Sequence, residues 1–130
     1  MANFHIQMTA GKQYSLAELE SKLRFNSNFD FCSRVEHRFD GADLLLLTFE
    51  QLFYRAHGTI SLSVLLTESC NLQTADLIAS GGGEGWSWSG GACRSFAKEA
   101  AVILTSCGFS DLNPEPEEKL HQKIFNYFFD

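Results

Sequence analysis

The chain has 130 residues, 45% of them apolar and 20% charged, with twelve phenylalanines. That length builds one hydrophobic core, and that composition excludes a disordered or low-complexity chain. The net charge of −6 comes with no cluster of Lys or Arg, which excludes the basic footprint a polyanion such as nucleic acid requires.

Residues 1–15 hold no charged start followed by an apolar run, so no secretory signal is read there. The longest apolar stretches, Ala42–Leu47 (interrupted by Asp43) and Ala100–Leu104, fall far short of the ~20 residues of a membrane span. Cys32, Cys70, Cys93 and Cys107 are widely spaced without a C-x-x-C. Free, mostly buried thiols are expected, and with them a cytoplasmic address and no membrane partner.

In chain order, Asn3–Thr9 alternates Phe4, Ile6 and Met8 against His5, Gln7 and Thr9, a half-buried strand. Ser15 and Glu18 form an S-x-x-E capping box that opens a helix. Leu16, Leu19 and Leu23 line its apolar stripe, and Glu18–Lys22 and Glu20–Arg24 are i,i+4 pairs assigned to the wet side. After Asn26–Asn28, Phe31–Phe39 reads as a strand with Phe31, Val35 and Phe39 inward and Arg34, Glu36 and Arg38 outward. Asp40-Gly41 signals a hairpin. Leu44–Tyr54 is apolar on both faces for much of its length, as a covered central strand would be. Beyond His57-Gly58, Ile60, Leu62, Val64 and Leu66 alternate cleanly with Thr59, Ser61 and Ser63. A turn at Asn71 leads to a fifth strand, Thr74–Ser80.

The texture then changes. Residues 81–91 hold six of the ten glycines and both tryptophans, so a sixth strand at the tryptophans is an open reading. Phe96, Ala100, Ile103, Leu104 and Cys107 fall at helical spacing, with Ser95 as candidate cap and Gly108 as the stop. Asn113-Pro114-Glu115-Pro116 is a stiff linker, leading to an amphipathic helix from about Glu117 with Leu120, Ile124 and Phe128 on one stripe. One α+β domain over 1–112 is expected, followed by the linker and terminal helix over 113–130. Its order is β-α-β-β-β-β-(β)-α. Successive hairpins imply an antiparallel sheet of five or six strands, with the helices on one face: a two-layer sandwich. A curved sheet that grips the long helix and leaves a cavity is the alternative.

Three features invite a chemical reading. The glycine segment sits between a strand and a helix, but it lacks the G-x-x-x-x-G-K-[ST] lysine and carries Glu84, so a packing role is preferred to phosphate binding. Trp86 and Trp88, two apart, would share one side of a strand as a stacking platform or a core plug. Glu50, Arg55 and His57 gather an acid, a permanent cation and a titratable base around one turn, the residue types of acid–base chemistry, without a nucleophile motif. His5, His37, His57 and His121 stand singly, and with the dispersed cysteines they give no metal-ligand spacing. No metal and no cofactor is expected.

The outward sheet face reads as Thr59, Ser61, Ser63, Arg34, Glu36 and Arg38. The central strand adds to it either Leu44, Leu46, Leu52 and Tyr54, or Leu45, Leu47, Phe49 and Phe53. A polar face with an apolar stripe is the pattern of an interaction surface.

Phe49-Glu50 leading to Tyr54-Arg55, the Ser61–Leu66 strand, the Ser80–Gly85 run, and Trp88 before the helix that ends at Gly108-Phe109 are together similar to a family of small uncharacterised bacterial proteins, a domain of unknown function. The likeness spans about residues 31–109. It implies a single domain of bacterial cytoplasmic origin and carries over no catalytic residue. The preferred reading is a small binding or interaction protein that self-associates as a homodimer. The alternative is an enzyme or small-ligand carrier whose site lies between residues 81–91 and the Glu50–His57 turn, formed by Glu50, Arg55, His57, Glu84, Trp86 and Trp88.

Overall fold

The computed structural model describes residues 2–25, 28–53, 58–81 and 86–114. The elements are β1 (Ala2–Gly11), α1 (Leu16–Phe25), β2 (Asp30–Phe39), β3 (Ala42–Phe53), β4 (Gly58–Ser69), β5 (Leu72–Gly81), α2 (Trp86–Ser106) and β6 (Ser110–Asp111). The strands form a six-stranded antiparallel sheet in the order β2-β3-β4-β5-β1-β6. Both helices lie on one face, so the α+β two-layer sandwich expected from the residues is the architecture observed.

Local signals explain the element ends. The Ser15 Oγ accepts the Glu18 N–H at 3.1 Å and caps α1. At the end of α2, Gly108 adopts φ +95°. Its N–H bonds Thr105 O at 3.1 Å, and the Phe109 N–H reaches back to Leu104 O at 3.1 Å. This is the Schellman pattern, with Phe109 and Leu104 both buried beneath it. Between β4 and β5, Cys70 and Asn71 take φ 51° and 65°, the left-handed pair that a tight twisted hairpin demands.

The core fills the space between sheet and helices. Leu45, Leu47 and Phe49 of β3, Ile60, Leu62, Val64 and Leu66 of β4, and Leu77 of β5 point into it, against Leu19, Leu23, Phe96 and Leu104 of the helices. Ala92, Ala97, Ala100 and Ala101 keep the buried side of α2 small, which lets that helix sit close to the strands. Phe29, in the connection between α1 and β2, closes one end. Its ring meets Phe96 edge-on at 4.6 Å and Phe49 at 5.7 Å between centroids.

Several expectations are corrected. The tryptophans begin a helix and not a strand, α2 starts at Trp86 rather than near Ser95, and the sixth strand is Ser110–Asp111. The shared strand side read for Trp86 and Trp88 falls with the strand. Glu20 is not on the wet side: it is buried, because its helix face turns toward β2, where Arg34 waits for it. Of the four free cysteines only Cys93 and Cys107 are buried, since Cys32 sits on the edge strand and Cys70 in a turn.

The largest correction concerns β2. Arg34 and Glu36 lie opposite the inward Leu47 and Leu45, so the charged residues are on the helix side and Val35 and Phe39 on the open side. A register shift between Phe31 and Ser33 separates Phe31 from this pattern. Phe31 stays on the helix side, 5.9 Å from the Phe49 ring and under the Arg24 guanidinium at 3.8 Å. One extra residue in a strand reverses the facing of everything beyond it. The terminal helix over 117–130 and Tyr54 lie outside the described residues.

Candidate functional site

The sheet brings the two segments of the sequence-read site to one end. Glu50 of β3 is aligned with Ser61 of β4, and Ser61 with Ser80 of β5, so Phe53 and Gly81 lie at the same end of the sheet. Of the six site residues, Arg55, His57 and Glu84 lie outside the described residues. Trp86 and Trp88 are placed by backbone, in the first turn of α2. Glu50 is exposed on the open face, between Asp30 and Ser61. On the inward side next to it, Gln51 Oε1 is buried with no hydrogen-bond partner among the described residues.

Among the described residues the chemistry at this end is quiet. The Cys32 thiol is held above its usual range, first by partial desolvation and then by the carboxylates of Glu50 and Asp30, which opposes thiolate formation and nucleophilicity. Burial likewise pushes the Cys93 thiol up. Among the described residues no three His, Cys, Asp or Glu side chains gather as metal ligands would.

A second cluster lies where α1 meets β2. Glu20 Oε2 accepts from Arg24 Nη1 at 3.1 Å and from Arg34 Nε at 3.0 Å. Glu36 accepts from Arg34 Nη2 at 3.2 Å and Arg38 Nε at 3.0 Å. The bonds from Arg38 and then Arg34 hold the Glu36 carboxyl below the usual range, and Glu20 and Glu36 raise Arg34. Arg34, Glu36 and Arg38 border a cleft of about 240 Å³ that Asp43 and Glu68 also line. Its cations already hold carboxylates, so the cleft offers an anionic ligand no free positive charge. It reads as a structural ion-pair network tying the edge strand to the helix.

The open sheet face is different in kind. Across the strands, Val35, Leu46 and Leu65 stand in one row, continued by Asp76 and Gln7. The next row toward the β2–β3 turn sets His37 beside Leu44 and Thr67. The next in the other direction sets Ser33, Thr48, Ser63, Ile78 and His5 side by side. Toward β1 the face is polar, with Asp76 accepting from Gln7 at 3.3 Å and lying 3.1 Å from His5 Nε2. Toward β2 it is apolar, with Val35 46% and Phe39 59% exposed and Leu44, Leu46 and Leu65 half-buried.

Of the two alternatives for β3, the structure selects Leu44, Leu46 and Leu52 for this face. Thr59, Ser61 and Ser63 stand on it as read, whereas Arg34, Glu36 and Arg38 do not. Val35, Phe39, Leu65 and Ile78 were missed as members of the surface. Leu65 was legible, since it ends the outward series Thr59, Ser61, Ser63 with an apolar residue.

No described helix is long and apolar enough to cross a membrane. No family model matches the chain, and no curated protein sequence matches it.

Proposed function

We propose that the chain is a small cytoplasmic binding protein that works through its open sheet face and self-associates as a dimer. One observation carries the reading: the apolar sector of Val35, Phe39, Leu44, Leu46 and Leu65 on a face that no described element covers. An exposed antiparallel face ordinarily alternates to polar residues, and a contiguous apolar sector rimmed by polar groups is the pattern of a contact surface. The acidic balance of −6 supports a protein partner over nucleic acid.

Sedimentation velocity from low to high micromolar protein tests the reading. A concentration-dependent dimer is expected, and replacing Val35 and Phe39 by Lys should return it to monomer. A monomer at every concentration would end the self-association. If deletion of residues 115–130 from that monomer then produced a dimer, the tail of the same chain would be the cover.

A further inference from the structure

We propose that two copies join β2 to β2 about a two-fold axis at His37, extending the sheet from six strands to twelve. This rests on the self-association proposed above and names the surface that holds the pair.

The two edges of the sheet set up the argument. On one side β6 pairs β1 only at Met8 and Thr9, the Leu112 N–H donates to Gln7 O and Pro114 follows shortly after, so that edge is broken in its middle and leaves β1 two short stretches without a described partner. On the other side β2 is ten residues long, exposed throughout, and has no Pro, Gly or Lys. Its one irregularity lies between Phe31 and Ser33, which leaves Ser33–Phe39 in regular register against β3. An edge of that length carries a row of unpaired N–H and C=O groups able to template another strand.

The charges then choose the register. Pairing β2 antiparallel to its copy with His37 opposite the partner's His37 sets Glu36 opposite the partner's Arg38, twice by symmetry. It sets Arg34 opposite the partner's Asp40, again twice. Every charged residue from 34 to 40 meets its opposite, the arrangement cross-strand pairing favours. On the open face, Val35 meets the partner's Phe39, so the apolar sectors of the two copies run together. Nearby axes fail. An axis at Glu36 places it on its own copy and Arg34 on Arg38, and an axis at Arg38 does the same to Arg38 and brings Glu36 onto Asp40. An axis at Val35 brings Asp40 onto Asp30. A self-complementary patch about a two-fold is what an isologous dimer requires.

Cross-linking and charge reversal in the full chain test this. In a Cys32→Ser, Cys70→Ser background, His37→Cys should give a disulfide-linked dimer under mild oxidation. The two Cβ atoms of a directly opposed pair lie within reach of the bond. Val35→Cys, which would cross-link an axis at Val35, should not. Glu36→Arg should weaken dimerisation at least tenfold in sedimentation velocity, and Glu36→Arg with Arg38→Glu should restore it. A dimer that ignores both charge variants and does not cross-link at position 37 would overturn the edge pairing while leaving self-association intact. A chain that never dimerises would end both.

Discussion

On β4 the inward side chains Ile60, Leu62, Val64 and Leu66 are fully buried, whereas the outward Thr59, Ser61, Ser63 and Leu65 keep contact with solvent. On β2 the rule turns over: the helix-side residues Arg34, Glu36 and Arg38 are charged, and the open-side residues Val35 and Phe39 are apolar. The difference is one of cover. The helices pack chiefly on β1, β4 and β5, so the inward side of β2 stays wet and is occupied by ion pairs to Glu20 and Glu36. Side-chain polarity follows the local layer, and an edge strand beyond that layer is free to put its apolar residues on the opposite face.

The largest effect should come from the covered face. Phe49 is fully buried and meets both Phe29 and Phe31. Phe49→Ala should lower unfolding free energy by about 3–5 kcal/mol, measured by urea titration. A loss no greater than that of Leu46→Ala, on the other side of the same strand, would break the distinction between the faces.

At the end of the same inward surface, a Cβ on Gly81 would lie 2.5 Å from Ile60 Cδ1 and 3.1 Å from Thr59 O. Gly81→Val should cost roughly 1–3 kcal/mol through overpacking, read in the same titration. An unchanged midpoint would mean that this end of the sheet repacks without strain.

The far end of the inward face is polar, and its contribution depends on pH. Glu68 takes Lys12 at 3.0 Å and the buried Gln73 at 2.8 Å. Burial raises its carboxyl, but the bonds from Gln73 and Lys12 prevail and hold it below the ordinary 4.5. A carboxylate with a lowered folded value adds stability above its unfolded value, and that stability is lost as pH falls through the folded one. Thermal midpoints should therefore fall on acidification from pH 6 to pH 3, and Glu68→Gln should flatten part of that slope. An identical acid slope in the variant would remove Glu68 from the account.

Much of this was legible in the residues because the signals were local. The capping box at Ser15, the stop at Gly108, the alternation of Ile60–Leu66 and the turn at Asp40-Gly41 each depend on a few neighbours. What escaped reading was set at a distance. The reversal of β2 follows from one unpaired position near Cys32 and from the reach of the helical layer, neither of which a period of two reveals. The burial of Glu20 needs Arg34, fourteen residues on. The tryptophan segment looked like a strand because glycines at 90 and 91 argue against a helix by propensity, yet α2 runs through them. The hairpin order alone was enough to bring Glu50 and Gly81 to one end of the sheet. The apolar sector on the opposite face emerged only when the register placed Val35, Leu46 and Leu65 in one row.

The smallest effect should separate that sector from a core. Leu46 and Leu65 are half-buried and directly opposed on the open face. Replacing both by Thr introduces a β-branched residue suited to a strand and removes only surface that the isolated subunit leaves partly wet. At sub-micromolar protein, where subunits are separate, the double variant should unfold within about 1 kcal/mol of the parent, as surface changes do. At high micromolar protein both midpoints should rise together, because association stabilises the folded state by mass action and a seam along β2 leaves Leu46 and Leu65 outside it. A loss above about 2 kcal/mol in the dilute sample would instead mark these leucines as buried within one chain. The open face would then be covered from inside the subunit, with residues 115–130 the segment to delete next.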